Sequence, residues 1–193
     1  PFRNLPWGKA ALAEAGDPAL VAGRLSNMFT RAGKNDLSAP RERWGIVKPD
    51  EAARLNAGTG LNLQVGMIHV VDSKAVNRAR KESSRADAET PRGQEPATAA
   101  DMGRLPEIIR HPDTTVSYAG KTEKGLDIIR YSKQENGRTI IIEEVRTRAN
   151  ELSFRGMWKT ENPGQAVKDN SKAAVRFLPP PQRPPQSPPQ RQS

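Results

Sequence analysis

At 193 residues, with 35% hydrophobic and 27% charged residues, the chain can build one compact domain with a small core. Its formal net charge of +9 favours polyanionic partners: RNA, DNA or an anionic surface. The absence of cysteine excludes disulfides and thiolate metal sites, and two histidines, His69 and His111, are too few for a multi-histidine metal centre. No apolar run approaches membrane-spanning length and no signal peptide is recognisable, so no membrane association is expected. The chain begins at Pro1 rather than methionine, as a processed product or a piece of a longer protein would.

Residues 1–60 read as a helical adaptor. A short helix is expected over 7–15, with Leu5, Leu12 and Ala15 near one face. Asp17-Pro18 suits an N-cap followed by proline at the first helical position. The helix after it would carry Leu20, Val21, Leu25, Met28 and Phe29 on one apolar stripe. Trp44 begins a new segment, and residues 50–55 supply one or two further helical turns. Residues 61–71 alternate weakly and read as a strand with a bulge at Gly66. Asp72-Ser73 offers the N-cap of a basic helix over 74–84, and Arg78, Arg80, Lys81 and Arg85 either line a nucleic-acid groove or form a solvated face.

Residues 86–98, with Pro91, Gly93 and Pro96, read as a loop. Thr98 and Asp101 imitate a capping box. Residues 105–110 add a helical turn that His111-Pro112-Asp113 breaks. Residues 115–119 return to strand. The polar stretch after Thr160 leads to a short element over 173–178. Residues 179–193, almost entirely proline, glutamine and arginine, form a disordered tail of polyproline II character.

The strongest pattern spans residues 126–160. Residues 126–133 suit a strand, Asn136-Gly137 a tight turn, and residues 139–147 a return strand. Residues 151–159 make a third strand, completing an antiparallel meander. Period-two alternation puts Ile142, Glu144 and Arg146 on one face, with Ile141, Glu143 and Val145 on the other. On the preceding strand Ile129, Tyr131 and Lys133 share a face. A carboxylate, a guanidinium and an ammonium on one sheet surface suit a phosphodiester. Cross-strand ion pairs on a solvated face account for the same charges.

Eight strings occur in order: Ile68-His69-Val-Val-Asp72, Arg92-Gly93-Gln94, Leu105-Pro-Glu-Ile-Ile109, His111-Pro-Asp113, Tyr118-Ala-Gly-Lys-Thr122, Gly125-Leu-Asp-Ile-Ile-Arg-Tyr131, Glu143-Glu-Val-Arg-Thr147, and Glu151-Leu152 through Met157-Trp-Lys159. Together they resemble the phage-associated members of the barnase–EndoU–colicin–RelE nuclease superfamily, over residues 65–160. The first twenty residues are more faintly similar to phage head-morphogenesis proteins. The resemblance implies an α+β fold, with helices packed against a four- to five-stranded antiparallel sheet. It divides the chain into the adaptor (1–60), a ribonuclease-like domain (61–162) and a tail (163–193). It further implies RNA as substrate, metal-independent cleavage and no cofactor. A base would take the ribose 2′-hydroxyl proton, cationic groups would stabilise the phosphorane, and an acid would protonate the leaving oxygen.

On this reading His69, Glu144 and Arg146 are the catalytic candidates. His69 is the proton shuttle, because its unperturbed pKa lies near neutrality. Arg78, Lys81, Lys133, Ser153, Lys159 and Thr160 are the phosphate contacts, and Trp158 either stacks on a base or is buried. His69 reads equally as a core histidine, and His111 as a turn residue. The chain departs from the resemblance at Arg78 and Ser83, where relatives carry histidines, and at Gly156, where a hydroxyl residue is usual. Arginine stays protonated and makes a poor acid or base. A degenerate nuclease fold, held to phage head or tail proteins by its extensions, is therefore the rival reading. A plain nucleic-acid-packaging protein is a third. The expected location is the virion or the host cytoplasm, and no small-molecule ligand is expected.

Overall fold

The computed structural model describes residues 17–83 and 94–161. The expected helix over 7–15, most of the loop over 86–98, the element over 173–178 and the proline-rich tail lie outside the described residues. Asp17 caps the first helix, α1 (Pro18–Gly33), by accepting the Ala19 N–H at 2.9 Å, with Pro18 in the first turn. Val21, Leu25, Met28 and Ala32 are buried along one stripe. Leu20, expected among them, is 60% exposed. It sits one residue, a rotation of about 100°, off a stripe that Val21 already serves.

The segment opened by Trp44 is a strand, β1 (Glu42–Ile46), and α2 (Pro49–Thr59) runs longer than the expected turn or two. The strand expected over 61–71 contracts to β2 (Ile68–Val71). Asn56 explains the loss: its carboxamide accepts the Leu63 N–H at 2.7 Å and donates to the Leu63 carbonyl at 3.0 Å. Those backbone groups are satisfied without a neighbouring strand. Gly66, expected as a bulge, lies in the turn before β2.

Asp72 accepts the Ala75 N–H at 2.8 Å and starts α3 (Ser73–Ser83). A short strand, β3 (Gln94–Pro96), occupies part of the expected loop. Thr98 and Asp101 form the capping box of α4 (Ala99–Gly103), and α5 (Leu105–Arg110) follows, ending before Pro112. The remaining strands are β4 (Thr115–Lys121), β5 (Asp127–Glu135), β6 (Arg138–Arg146) and β7 (Glu151–Thr160).

The fold is α+β, and the sheet has seven strands rather than four or five. The order is β1-β2-β7-β6-β5-β4, and β3 pairs with the C-terminal half of β7. All pairings are antiparallel except β2 with β7. Asn136 (φ 50°) and Gly137 (φ 76°) make the two-residue turn that sets Glu135 opposite Arg138. The β6–β7 register shifts between Glu143 and Glu144, which pair with Gly156 and Phe154. Arg155 is the extra residue of that bulge, and bulges re-aim side chains locally.

Alternation gives the sheet two different faces. Ile129, Tyr131, Ile142, Leu152, Phe154 and Met157 share one core with Leu25, Leu55, Val76, Met102, Leu105 and Ile108 of the helices. Thus α1 and α2, read as adaptor, enter the same core as the meander. Ile128 and Ile141 point the other way; they are buried but outside that cluster.

The helical layer approaches closely at Gly58 of α2, where an added Cβ would collide with the Val116 carbonyl oxygen of β4. Gly58→Ala should therefore cost about 1–3 kcal/mol of stability by overpacking. Gly23→Ala, with nothing within 4 Å, should instead gain up to about 1 kcal/mol from helix propensity. Urea midpoints of the two variants check this, and a Gly58→Ala protein as stable as the parent would exclude so close a contact.

Candidate functional site

The helix-covered face encloses a charged cluster. Ile142 and Glu144 sit opposite Tyr131 and Ile129, so Glu144 lies diagonally across from Tyr131. The Tyr131 hydroxyl donates to Glu144 Oε2 at 2.8 Å. His69 of β2 places Nδ1 3.0 Å from that same oxygen and Nε2 3.1 Å from Glu51 Oε1 of α2. Trp44 stacks on the imidazole with ring centroids 4.3 Å apart, and Arg110 lies over Trp44 and 3.6 Å from Glu51 Oε2. His69 and Glu144 are fully buried, and Glu51 is 5% exposed.

Burial opposes the charged imidazole, but the Glu144 carboxylate and then Glu51 override it and raise the His69 pKa to about 9. Burial likewise works to raise Glu51, and the His69 hydrogen bond and charge outweigh it, leaving its pKa lowered. Burial and Glu144 push the Tyr131 hydroxyl well up. With its pKa raised, His69 is the cation of the cluster, held between Glu144 and Glu51.

The opposite face carries a second cluster. Counting back from the Asn136-Gly137 turn pairs Arg130 with Glu143. The Arg130 guanidinium meets Glu143 Oε1 through Nη2 at 2.7 Å and Nε at 3.1 Å. Arg155, delivered by the bulge, forms an ion pair with Glu143 Oε2. Trp158, opposite Ile141, lies beside Arg130 with the guanidinium carbon 5.8 Å from its ring centre. Its buried indole Nε1 has no hydrogen-bond partner. The Glu143 side chain is 3% exposed, whereas that of Arg155 is 46% exposed and gives this cluster a route to solvent.

A family model described as phage-Barnase-EndoU-ColicinE5/D-RelE like nuclease3 matches residues 46–167, more than half of the chain. The chain belongs to that family. No curated protein and no solved structure matches it. The matched region runs from the end of β1 through the whole meander, so both clusters draw on it; only Trp44 of β1 precedes it. Among the described residues no helix is long and apolar enough to cross a membrane. Nor do three or more His, Asp or Glu side chains among them gather to hold a metal ion.

In this family member, the residues expected at the site disperse. His69 and Glu144 meet, but beneath the helices rather than on an accessible sheet surface, because the face that carries Glu144 is the one the helices cover. Arg146 joins neither; it lines a cleft at the end of the sheet. Lys133, expected on an exposed basic face, is 7% exposed and reaches Glu107 of α5 at 3.3 Å. Lys159 is held by Asp101 at 2.9 Å. Thr160 is buried, Ser153 half-buried, and Arg78 and Lys81 are exposed on α3. His111 sits in the turn after α5, with Nδ1 accepting the Asp113 N–H. Sequence reasoning missed Arg130, Glu143 and Arg155 as a group. The register implied by the two-residue turn would have paired the first two, whereas the bulge that brings Arg155 left no local signal.

Proposed function

We propose that the domain binds RNA on the sheet face opposite the helices and cleaves it there without a metal ion. The observation that supports this best is the Arg130–Glu143–Arg155 cluster beside Trp158. It combines a carboxylate, two guanidinium forks matched to phosphate oxygens, and an aromatic ring able to stack on a base. An arriving phosphodiester competes with Glu143 for the more exposed Arg155. Glu143 Oε2, released from that pair, takes the 2′-hydroxyl proton as the 2′-oxygen attacks phosphorus; the bond from phosphorus to the 5′-oxygen breaks, and that oxygen leaves with a proton from water, giving a 2′,3′-cyclic phosphate and a 5′-hydroxyl. The guanidiniums neutralise charge on the phosphorane oxygens. On this reading His69 and Glu144 act from beneath, holding β2 and β6 in place.

A second reading is binding without cleavage, as in a virion or assembly role. It is favoured by the imidazoles: the chain has two, one enclosed and one in a turn. Labelled RNA incubated with the protein in EDTA separates the two. Cleavage in EDTA is the expected result. RNA that stays intact while bound to folded protein would remove the catalytic reading and leave the binding one.

A further inference from the structure

At the end of the sheet, the β4–β5 and β6–β7 turns flank a cleft of about 310 Å³, lined by Gly125, Leu126, Asp127, Arg146, Thr147, Arg148 and Asn150. Among the described residues, Arg24, Arg31, Arg41, Arg104, Arg130, Arg138 and Arg155 are each paired with a carboxylate. With the described residues Arg146 and Arg148 form no such pair, as is also true of Arg43, Arg54 and Arg78 elsewhere on the molecule. The one carboxylate lining the cleft, Asp127, is taken by Lys121 at 2.6 Å and by the Tyr118 hydroxyl. The Thr147 hydroxyl oxygen is buried and has no hydrogen-bond partner.

We propose that this cleft is a phosphate-binding subsite, with Arg146 and Arg148 as charge-assisted donors and a polynucleotide backbone as its occupant. Two guanidiniums match the oxygens of a phosphate and suit no cation or apolar group. The inference rests on reading the neighbouring sheet face as RNA-binding. Arg146 lies three residues beyond Glu143 on β6, roughly 10 Å along the strand. Alternation turns Arg146 to the face that carries Glu144, so a strand bound at the Arg130–Glu143–Arg155 cluster reaches the cleft with a flanking phosphate by passing over the end of the sheet, where Arg148 is exposed. The subsite fixes the position of the chain and carries no base specificity.

The test is binding of a labelled ten-nucleotide RNA over a salt series, with the parent protein, Arg148→Gln and the Arg146→Gln/Arg148→Gln double variant. Each arginine lost should weaken binding roughly tenfold and flatten the salt slope by about 0.7. Unchanged thermal midpoints confirm that the variants are folded. Equal affinity and slope in all three proteins would overturn the subsite while leaving the sheet-face reading intact. If the parent binds no RNA, the sheet-face reading falls, and inorganic phosphate followed by amide NMR decides the cleft alone. Shifts at residues 147–150 that Arg148→Gln abolishes support a site for free phosphate, and their absence overturns it.

Discussion

His69→Ala should cost about 3–5 kcal/mol of folding stability, measured by urea unfolding near pH 6. The imidazolium is fully buried and is the cation between Glu144 and Glu51. Removing it leaves two carboxylates in the interior, Glu144 with the Tyr131 hydroxyl and Glu51 with the Lys48 backbone and a 3.6 Å approach from Arg110. It also removes the ring that stacks on Trp44. Since whole domains are stable by only about 5–15 kcal/mol, the loss is a large share of the folding free energy and should lower the urea midpoint markedly while leaving a measurable transition. A loss below about 1 kcal/mol, in the range of an exposed ion pair, would show that His69 is not the buried counter-charge.

The same cluster sets a pH dependence with a definite sign. His69 has its pKa raised from 6.5 to about 9 in the folded protein. Its contribution is complete below 6.5 and is lost as pH rises through about 9. Glu51 is shifted down from 4.5, so its contribution is present above that value and is lost as pH falls below it. The parent protein should therefore lose thermal stability between pH 6.5 and 9. The slope should vanish in His69→Ala, where no imidazolium remains to deprotonate.

Much of the meander was legible because its signals are local. Asn136-Gly137 fixes a turn, alternation fixes the faces, and Asp17, Asp72 and Thr98 announce helix starts through their own side chains. The strands β1 and β3 were not legible. They are five and three residues long, and each exists through a distant partner, β2 in one case and β7 in the other. The choice of covered face was equally hidden. Ile140 and Ile142 alternate with Ile141, so β6 is apolar on both sides and its pattern does not say where the helices pack. A glutamate at position 144 looked solvated for that reason, and its burial follows from a histidine 75 residues away in sequence.

Glu143→Gln should lower RNA cleavage by about 10²–10⁴-fold, the usual loss when a general base is removed. That corresponds to roughly 3–5 kcal/mol of transition-state stabilisation. The substitution keeps the shape of the side chain and a carbonyl that can accept from Arg130, but it cannot take a proton. It also weakens the hold on Arg155, whose guanidinium then faces a neutral amide. Binding of RNA should be unchanged or tighter while cleavage falls, and a variant that had merely lost its structure would lose both. Arg155→Ala should show the opposite bias. It removes the most exposed cation of the cluster and should weaken binding several-fold, with a shallower salt slope. Cleavage by Glu143→Gln at the parent rate would exclude this carboxylate as the base and return the search for one to the remaining acidic and imidazole groups.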